Sequence, residues 1–281
     1  MSYTIVLNSL NVIGSNKNIL IYNFLQGFRI EEGSEICVSS VQVPYSWYNI
    51  SYFYQNTKFN LIIPTNASTT TLNITIPDGF YTIPQLQSYI EKICIDNNYY
   101  LKNSAGNNVY YINLAYNISA YKIQLVCSLV PTTAQLTGLG LTNPAGWVLP
   151  TASRCPQLVV LDPYFGKFIG FNVGTYPTTT TSNYNKVSDY SPQGSTVNSI
   201  ILRSNLVNNN IGFPSDIIDS FAISNVSFGS NIDYQPSYEK WVRLQPGVYQ
   251  NLSITMQDER FNDILMLDSN TVITLNIRNK K

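Results

Sequence analysis

TLNITIPDGFYTIPQLQSYIEKICIDNN, residues 71–98, is the stretch of sequence that decides the predicted fold. Its first six residues place Leu72, Ile74 and Ile76 on one face and polar residues on the other, as in a half-buried strand. The Pro-Asp-Gly sequence at residues 77–79 has strong turn chemistry, so it ends this strand. The stretch therefore begins with a strand and a tight turn.

After the turn, the spacing of the apolar residues changes from two to about 3.6, which is the helical repeat. One apolar stripe at this spacing is formed by Leu86, Tyr89, Ile90, Ile93 and Cys94. Thr82 and Gln85 have the spacing of a capping box, and Pro84 is tolerated in a first turn because amides there have no intrahelical acceptor. We predict one helix that packs its stripe on the β-structure and carries no catalytic residue.

Alternating apolar patterns predict about ten strands in the whole chain. Besides 71–76, they lie at residues 18–25, 35–43, 58–63, 109–116, 120–127, 197–203, 216–223, 252–257 and 272–278. Prolines and glycines repeatedly interrupt the pattern around 131–195, which indicates a long irregular insertion. Because long connections separate many strands, a Greek-key sandwich is favoured over an up-and-down barrel. The prediction is an all-β, jelly-roll-like single domain spanning 1–281, with this insertion.

The chain is unusually poor in charge. Charged residues make up 11% of the sequence, against about 25% in ordinary domains. Sixteen basic residues balance sixteen acidic ones. Two interpretations stay open: a surface selected for lattice contacts, since charge keeps proteins soluble and apart, or AT-rich codon usage that enriches Asn, Ile, Tyr and Phe.

Residues suited to catalysis or metal binding are scarce. The sequence contains no histidine, which is the commonest general base and metal ligand. Its four cysteines are far apart and lack a CxxC pair, so they indicate buried free thiols rather than a zinc site. Carboxylate pairs at Asp258-Glu259 and at Asp216 and Asp219 are typical of a charged turn and of the start of a strand. We predict no enzyme, no cofactor and no metal site.

Neither nucleic acid nor a membrane is an expected partner. Lysines and arginines are scattered singly along the chain rather than clustered, and the N-terminus has no basic arm. No run of eighteen apolar residues occurs, so no membrane-spanning helix is expected.

Six aromatic residues follow the strand predicted at 35–43. They are Tyr45, Trp47, Tyr48, Tyr52, Phe53 and Tyr54. Aromatic rings suit the packed end of a β-sandwich, but Tyr and Trp are also enriched where protein surfaces dock. The cluster is a candidate interface, with core packing as the open alternative.

An ordered series of motifs resembles the single jelly-roll minor capsid, or penton, proteins of virophages and Polinton-like DNA viruses. The series consists of YSWYNI at 45–50, IPDGFY at 76–81, FGKFIGF at 165–171, NSIILRSN at 198–205, and the close of the chain from 247 to 277. The resemblance implies an eight-stranded jelly roll with strand B at 19–25, C at 35–43, D at 58–63, E at 72–76 and G near 197–203. It puts F within 109–127, H at 252–257 and I at 272–278, and places the helix in the E–F connection.

The resemblance also implies a function. The protein would form homopentamers at the vertices of an icosahedral virion, beside trimers of a double jelly-roll major capsid protein, after assembly in the host cytoplasm or nucleus. A charge-poor surface agrees with permanent lattice contacts, where each buried charge would need a partner. The alternative is a carbohydrate-binding β-sandwich, an attachment or lectin-like module in which exposed Tyr and Trp side chains, Trp47 or Trp147 among them, stack on sugars.

Overall fold

Residues 2–209 and 213–279 are described by a computed structural model of the protein. Within these residues the strands are β1 Ser2–Leu7, β2 Val12–Ile13, β3 Ile19–Ile30, β4 Ser34–Pro44, β5 Lys58–Thr65, β6 Ser68–Thr75, β7 Leu101–Asn103, β8 Asn108–Val109, β9 Ile112–Asn117, β10 Lys122–Cys127, β11 Leu141–Thr142, β12 Gln157–Val160, β13 Gly174–Tyr176, β14 Tyr184–Val187, β15 Ser199–Ser204, β16 Ile217–Ala222, β17 Asn231–Tyr234, β18 Val242–Arg243, β19 Gly247–Gln257 and β20 Val272–Asn279. The helices in the same residues are α1 Ile83–Asp96 and α2 Pro163–Ile169, with short 3-10 turns at Ser9–Asn11, Ile118–Ala120, Thr133–Gln135 and Thr137–Leu139. The all-β class predicted from the sequence is confirmed.

The chain divides into two compact units. Unit 1 comprises Met1–Trp47 and Val197–Lys281, and unit 2 comprises Tyr48–Thr196. The sequence predicted one domain with an insertion around 131–195, whereas the segment between the two parts of unit 1 begins at Tyr48. That segment contains β5 to β14 and both helices, so much of it is regular. Strands of both units alternate in the same way, and local periodicity therefore does not reveal which sheet a strand joins.

Unit 1 has the strand order of a jelly roll. One sheet has the order β1-β20-β4-β17, with β18 also pairing with β4, and the other has the order β16-β15-β19-β3-β2. Lettered B to I along the chain, these are the B-I-D-G and C-H-E-F sheets of an eight-stranded jelly roll, in which β17 and β18 are two segments of strand G. All of these pairings are antiparallel.

The core of unit 1 is built from the alternating faces of its strands. Inward-facing residues on the two strands nearest the C-terminus are Leu252, Ile254, Met256, Ile273, Leu275 and Ile277, all buried. The two sheets also touch directly, since β16 contacts β4 and β1 contacts β3. Fully burying an aliphatic side chain of this size contributes about 1.5–3 kcal/mol. The pattern predicted for β19 and β20, strands H and I, is therefore confirmed.

Several predicted strand letters are wrong. Strand B is β1, which the sequence did not identify, so β3 and β4 become C and D rather than B and C. The segment near 197–203 is strand E instead of G, because β15 pairs with β16 and with β19. Strand F is β16, while residues 58–63 and 72–76 pair with each other in unit 2. The missing strand is short and pairs with β20 at the other end of the chain, a contact that no local pattern reports.

Unit 2 contains three small sheets around its own apolar core. Their orders are β13-β12-β5-β6, β14-β10-β9 and β11-β7-β8. Rings from two elements meet in the core, where Phe59 of β5 stacks on Phe165 of α2 with centroids 5.0 Å apart. Both rings are fully buried. The unit therefore has a hydrophobic core that joins its helices to its strands.

Helix α1 forms as the sequence predicts. Thr82 and Gln85 make the capping box, in which the Thr82 amide donates to the Gln85 side chain at 2.8 Å. Leu86, Ile90 and Cys94 of the stripe are buried. Gln87 fixes the helix to β9, because its carbonyl accepts a 2.8 Å hydrogen bond from the Leu114 amide. The helix thus packs on a sheet of unit 2.

The location predicted for the helix differs from the structure. Helix α1 lies in the D–E connection between β4 and β15, whereas the E–F connection joins β15 to β16. A second helix, α2, was not predicted because it has only seven residues and contains Gly166. Asp162 caps it by accepting from the amides of Tyr164 and Phe165, at 2.9 and 2.8 Å. This cap and the left-handed Gly170 define both ends of the helix.

Candidate assembly surfaces

Two strands of unit 1, β1 and β3, have an outer edge that is largely unpaired within the described residues. Strand β1 pairs with β20 alone, and β3 pairs with β19 on one side and with the two-residue β2 on the other. The β2 contact reaches only Ile19 and Leu20. In the described part of the chain, no strand pairs with the outer edge of β1 or with that of β3 beyond Leu20. Such an edge presents free amide and carbonyl groups to any strand that approaches it.

A row of aromatic rings connects these two strands. Tyr22 contacts Phe24 with centroids 5.5 Å apart, Phe24 stacks on Phe28 at 5.0 Å, and Phe28 meets Tyr3 edge-on at 5.6 Å. We call Tyr3, Tyr22, Phe24 and Phe28 the edge row. Each ring is at least partly accessible to solvent. Surface apolar residues are ordinary when single, but a contiguous group usually indicates a binding surface.

A bulge in β3 shapes the edge row. Asn23 pairs with Asn251 and Phe28 with Tyr249, so four residues of β3 lie opposite the single residue Gln250. Leu25, in the bulge, is fully exposed, and Gly27 has a φ of +77°, a left-handed conformation that favours glycine. Bulges redirect side chains at sheet edges. This one presents Leu25 to solvent beside the stacked pair of phenylalanines.

The same edge has no charged side chain along most of its length. Strand β1 reads SYTIVL, and residues 22–28 of β3 read YNFLQGF. Soluble proteins commonly protect an exposed edge strand with lysine, proline or an inward-pointing charge. Neither segment contains these residues. Apart from the bulge in β3, the edge therefore lacks these protections, which is typical of a surface that is covered in an assembly.

The opposite edges, strands F and G, are held by an ion pair between a buried carboxylate and a partly exposed lysine. The Asp219 carboxylate is 4% exposed and accepts from Lys240 at 2.7 Å and from the Tyr234 hydroxyl at 2.9 Å. The hydrogen bond to Asp219 raises the pKa of Lys240. The Tyr234 ring also stacks on Phe221 at 4.4 Å. These contacts fix strand G against strand F.

The carboxylates weighed as catalytic candidates are all engaged with the scaffold. Asp216 binds the Arg203 guanidinium through three contacts of 2.8–3.1 Å. Asp258 accepts from the amides of Arg260 and Asn262 within its own turn, both at 2.8 Å. Burial alone would raise the pKa of Glu259, but hydrogen bonds from its own backbone, Asn198 and Ser199 outweigh burial and lower the pKa. Each group therefore has a structural contact.

The described residues have neither a metal-binding cluster nor a membrane-spanning helix. Across residues 2–209 and 213–279, no group of three or more cysteines and carboxylates is arranged to hold a metal ion. Over the same residues, no helix is long and apolar enough to cross a membrane. The four cysteines are free and buried, as predicted.

The six aromatic residues of the predicted interface separate into two environments. Tyr45 and Trp47 belong to unit 1 and are buried, with their centroids 4.6 Å apart. Tyr45 also meets Phe228 edge-on at 6.0 Å. These two rings form part of the core, so they are not available to a partner. For Tyr45 and Trp47, the structure therefore agrees with core packing, which was the alternative to an interface.

The other four aromatic residues of that cluster belong to unit 2. They are Tyr48, Tyr52, Phe53 and Tyr54. Tyr52 is 80% exposed and Phe53 is also exposed, whereas Tyr48 and Tyr54 are half-buried. Tyr52 and Phe53 therefore retain the exposure that an interface requires, and their role as an interface stays a prediction.

Two buried asparagines hold the loop that presents Tyr52 and Phe53. Asn56 accepts from the Ser51 amide at 2.8 Å and donates to the Asn49 carbonyl at 2.7 Å. Asn49 in turn donates to the Tyr81 and Gly194 carbonyls, each at 2.8 Å. The loop therefore has a defined backbone on which its exposed rings stand.

Trp147, one of the two tryptophans of the carbohydrate hypothesis, is buried in unit 2. Its ring meets Tyr99 and Tyr111 edge-on, with centroids 5.6 and 5.9 Å away. Trp47 is 1% exposed in unit 1. Neither indole can stack on a sugar at the surface, so the prediction is wrong for these two tryptophans. The sequence analysis did not identify the residues of the edge row. The pattern that could have indicated them is an uncharged strand with apolar residues on both faces.

Comparison with known proteins finds similar structures and no similar sequence. No protein-family model matches the chain, and no curated protein matches it. The mavirus penton protein is similar in structure, with 11% sequence identity, a TM-score of 0.44 and coverage of 99% of this chain and 97% of the other. A chain in the electron cryo-microscopy structure of the Sputnik virophage is also similar, with 13% identity, a TM-score of 0.40 and coverage of 100% and 98%.

Proposed function

We propose that this chain is a structural capsid subunit that forms homopentamers at the vertices of an icosahedral DNA virus. The edge row carries the proposal, because its four aromatic rings line an uncharged edge of a jelly-roll unit. Within the described residues, no strand pairs with that edge where the rings lie. The resemblance of the sequence motifs to virophage penton proteins supports the same function. In this role the protein lies in the virion and contacts trimers of a double jelly-roll major capsid protein. It is assembled in the host cytoplasm or nucleus, and it has no enzymatic activity.

A closed ring of five copies requires two different contact surfaces on each copy. In such a heterologous contact, one patch of each subunit meets a different patch of its neighbour. Unit 1 provides two candidate patches, since strands B and C form one end of its two sheets while G and F form the other. The first end has the edge row, and the second has the Asp219–Lys240 pair. The two ends differ in chemistry, as the contact between neighbouring subunits of a closed ring requires.

Light scattering on the purified protein tests the proposal. The expected mass is close to five times 31.6 kDa. A Leu25→Asp variant should shift this mass towards that of the monomer, since a carboxylate would be buried without a partner in the contact. Leu25 is fully exposed, so the exchange leaves the fold of the subunit intact.

Ile118→Asp is the matched control, because Ile118 is 88% exposed and belongs to unit 2. This control should keep the mass of the wild-type assembly. A wild-type protein that remains a monomer, with no fivefold rings in electron micrographs, would overturn the proposal. So would a Leu25→Asp variant that assembles as well as the wild type.

A further inference from the structure

A small cleft in unit 2 combines an exposed aromatic ring with polar side chains. It has a volume of about 250 Å³ and is lined by Tyr52, Gln55, Thr57 and Lys58. Tyr52 is exposed over most of its surface, and Gln55 and Lys58 are also exposed. Ligand sites typically join an apolar surface to a few well-placed polar groups. The cleft has this combination on the scale of one or two sugar rings.

The backbone beneath the Tyr52 ring is fixed from both sides. Its amide donates to the Asp78 carboxylate at 2.9 Å, and its carbonyl accepts from the Gln55 amide at 3.1 Å. Gln55 has a φ of +56°, which costs free energy for a residue with a side chain. The buried Asn56 closes the loop behind it. The backbone that carries the Tyr52 ring is therefore held in place, which limits the loop entropy lost when a ligand binds.

The polar groups of the cleft are available. In the described part of the chain, the Tyr52 hydroxyl, the Gln55 amide group and the Lys58 ammonium make no side-chain hydrogen bond, and Lys58 has no carboxylate within ion-pair distance. The Tyr52 ring also has no aromatic neighbour among these residues. An ammonium without a carboxylate partner favours a ligand that brings a negative charge. An open ring favours a ligand with a flat face of C–H groups, because the face of an aromatic ring is electron-rich.

We propose that this cleft binds an acidic saccharide. The sugar ring would lie against Tyr52, its hydroxyl groups would bind the Gln55 amide, and its carboxylate would bind Lys58. A neutral sugar would lose the charge-assisted contact, and a bare anion would make no use of the Tyr52 ring. The proposal concerns unit 2 alone and does not depend on assembly through the edge row.

Saturation-transfer NMR with the full-length protein and 3′-sialyllactose tests this inference. Signals from the C–H groups of the sialic acid ring should gain intensity, and those of lactose alone should gain much less. Tyr52→Ala should abolish the transfer. Lys58→Met should raise the dissociation constant about tenfold, as expected for the loss of one charge-assisted hydrogen bond.

Two variants outside the cleft serve as controls. Tyr164→Ala removes another exposed tyrosine of unit 2 near a lysine, and Lys186→Met removes another exposed positive charge. Both should bind 3′-sialyllactose like the wild type. Light scattering on each variant reports assembly separately, so failure of the saccharide site and failure of the proposed pentamer are distinguishable.

Absence of saturation transfer to 3′-sialyllactose would overturn the inference. Binding that is lost in Lys58→Met but unchanged in Tyr52→Ala would also overturn it, since the site would then bind only an anion. Competition with inorganic phosphate checks that outcome directly. Full displacement by phosphate at equal concentration would show that the sugar ring contributes nothing.

Discussion

Phe24 and Phe28 stack with their ring centroids 5.0 Å apart, although Phe24 is the first residue of the bulge in β3 and Phe28 directly follows the bulge. In a regular strand, two residues four positions apart are about 13 Å from each other. The extra residues opposite Gln250 shorten this separation and bring the two rings together. The bulge is therefore the local feature that assembles the centre of the edge row.

Gly27→Ala should destabilise the protein through this bulge. Gly27 has a φ of +77°, and an added Cβ would be in ordinary contact with Val248 and Gln250. The strain of the left-handed conformation, less the entropy that alanine removes from the unfolded chain, should lower the free energy of unfolding by about 1 kcal/mol. Urea denaturation measures this change. Gly138→Ala is the control, since its Cβ would meet open space and its φ is not left-handed. Equal midpoints for both variants would contradict the prediction.

Ile90→Asp should strongly destabilise unit 2. Ile90 is buried in the stripe of α1, where a carboxylate would lose its hydration without gaining a partner. We expect a loss of at least about 4 kcal/mol in the free energy of unfolding, which thermal denaturation followed by circular dichroism would detect. Ile95→Asp on the same helix is the control, because Ile95 is 42% exposed. It should cost less than about 1 kcal/mol. An unchanged melting temperature for Ile90→Asp would show that the stripe is not buried.

The contrast between α1 and β1 explains how much of the fold the sequence predicted. Helix α1 depends on contacts between residues a few positions apart, such as the Thr82–Gln85 capping box. The local sequence pattern was therefore sufficient to predict it. Strand β1 depends on pairing with β20, about 270 residues away, and six residues carry too little periodicity to predict that partner. Missing β1 shifted the letters of β3 and β4, and the strands at 58–63 and 72–76 were given letters although they pair with each other in unit 2. The letters H and I, given to the two strands near the end of the chain, were right.

The candidate site was predicted only in part for a related reason. The six aromatic residues lie close together in the sequence, between positions 45 and 54. Tyr45 and Trp47, just after β4, are buried, whereas Tyr52 and Phe53, in the following loop, are exposed. Burial of Tyr45 and Trp47 follows from tertiary contacts, among them Phe228. The edge row joins Tyr3 to β3 through space. Neither the burial of Tyr45 and Trp47 nor the edge row can be predicted from the spacing of neighbouring residues.

Glu259→Gln should make stability less dependent on pH in the acid range. Hydrogen bonds from its own backbone, Asn198 and Ser199 hold the pKa of Glu259 below its usual value of 4.5 against the opposing effect of burial. A carboxyl group with a lowered pKa contributes stability above its unfolded pKa, and this contribution disappears as the pH falls through the folded pKa. The wild-type protein should therefore lose more stability than Glu259→Gln between about pH 5 and pH 3. Urea midpoints across this range measure the difference, with Glu32→Gln, at an exposed position, as the control. Parallel curves for wild type and Glu259→Gln would contradict the prediction.

The four thiols should be unreactive in the native protein at neutral pH. All four are free and buried. Burial raises the pKa of Cys37 to about 11 and that of Cys94 to about 12, and it also raises the pKa of Cys127 and Cys155. Because the thiolate is the reactive form, little of it is present at pH 7, and access is blocked as well. A colorimetric disulfide reagent should therefore titrate all four thiols in denaturant and almost none without it. One thiol that reacts within seconds in the native protein would identify an accessible or activated cysteine and contradict the prediction. Alkylation followed by mass spectrometry would then show which of the four it is.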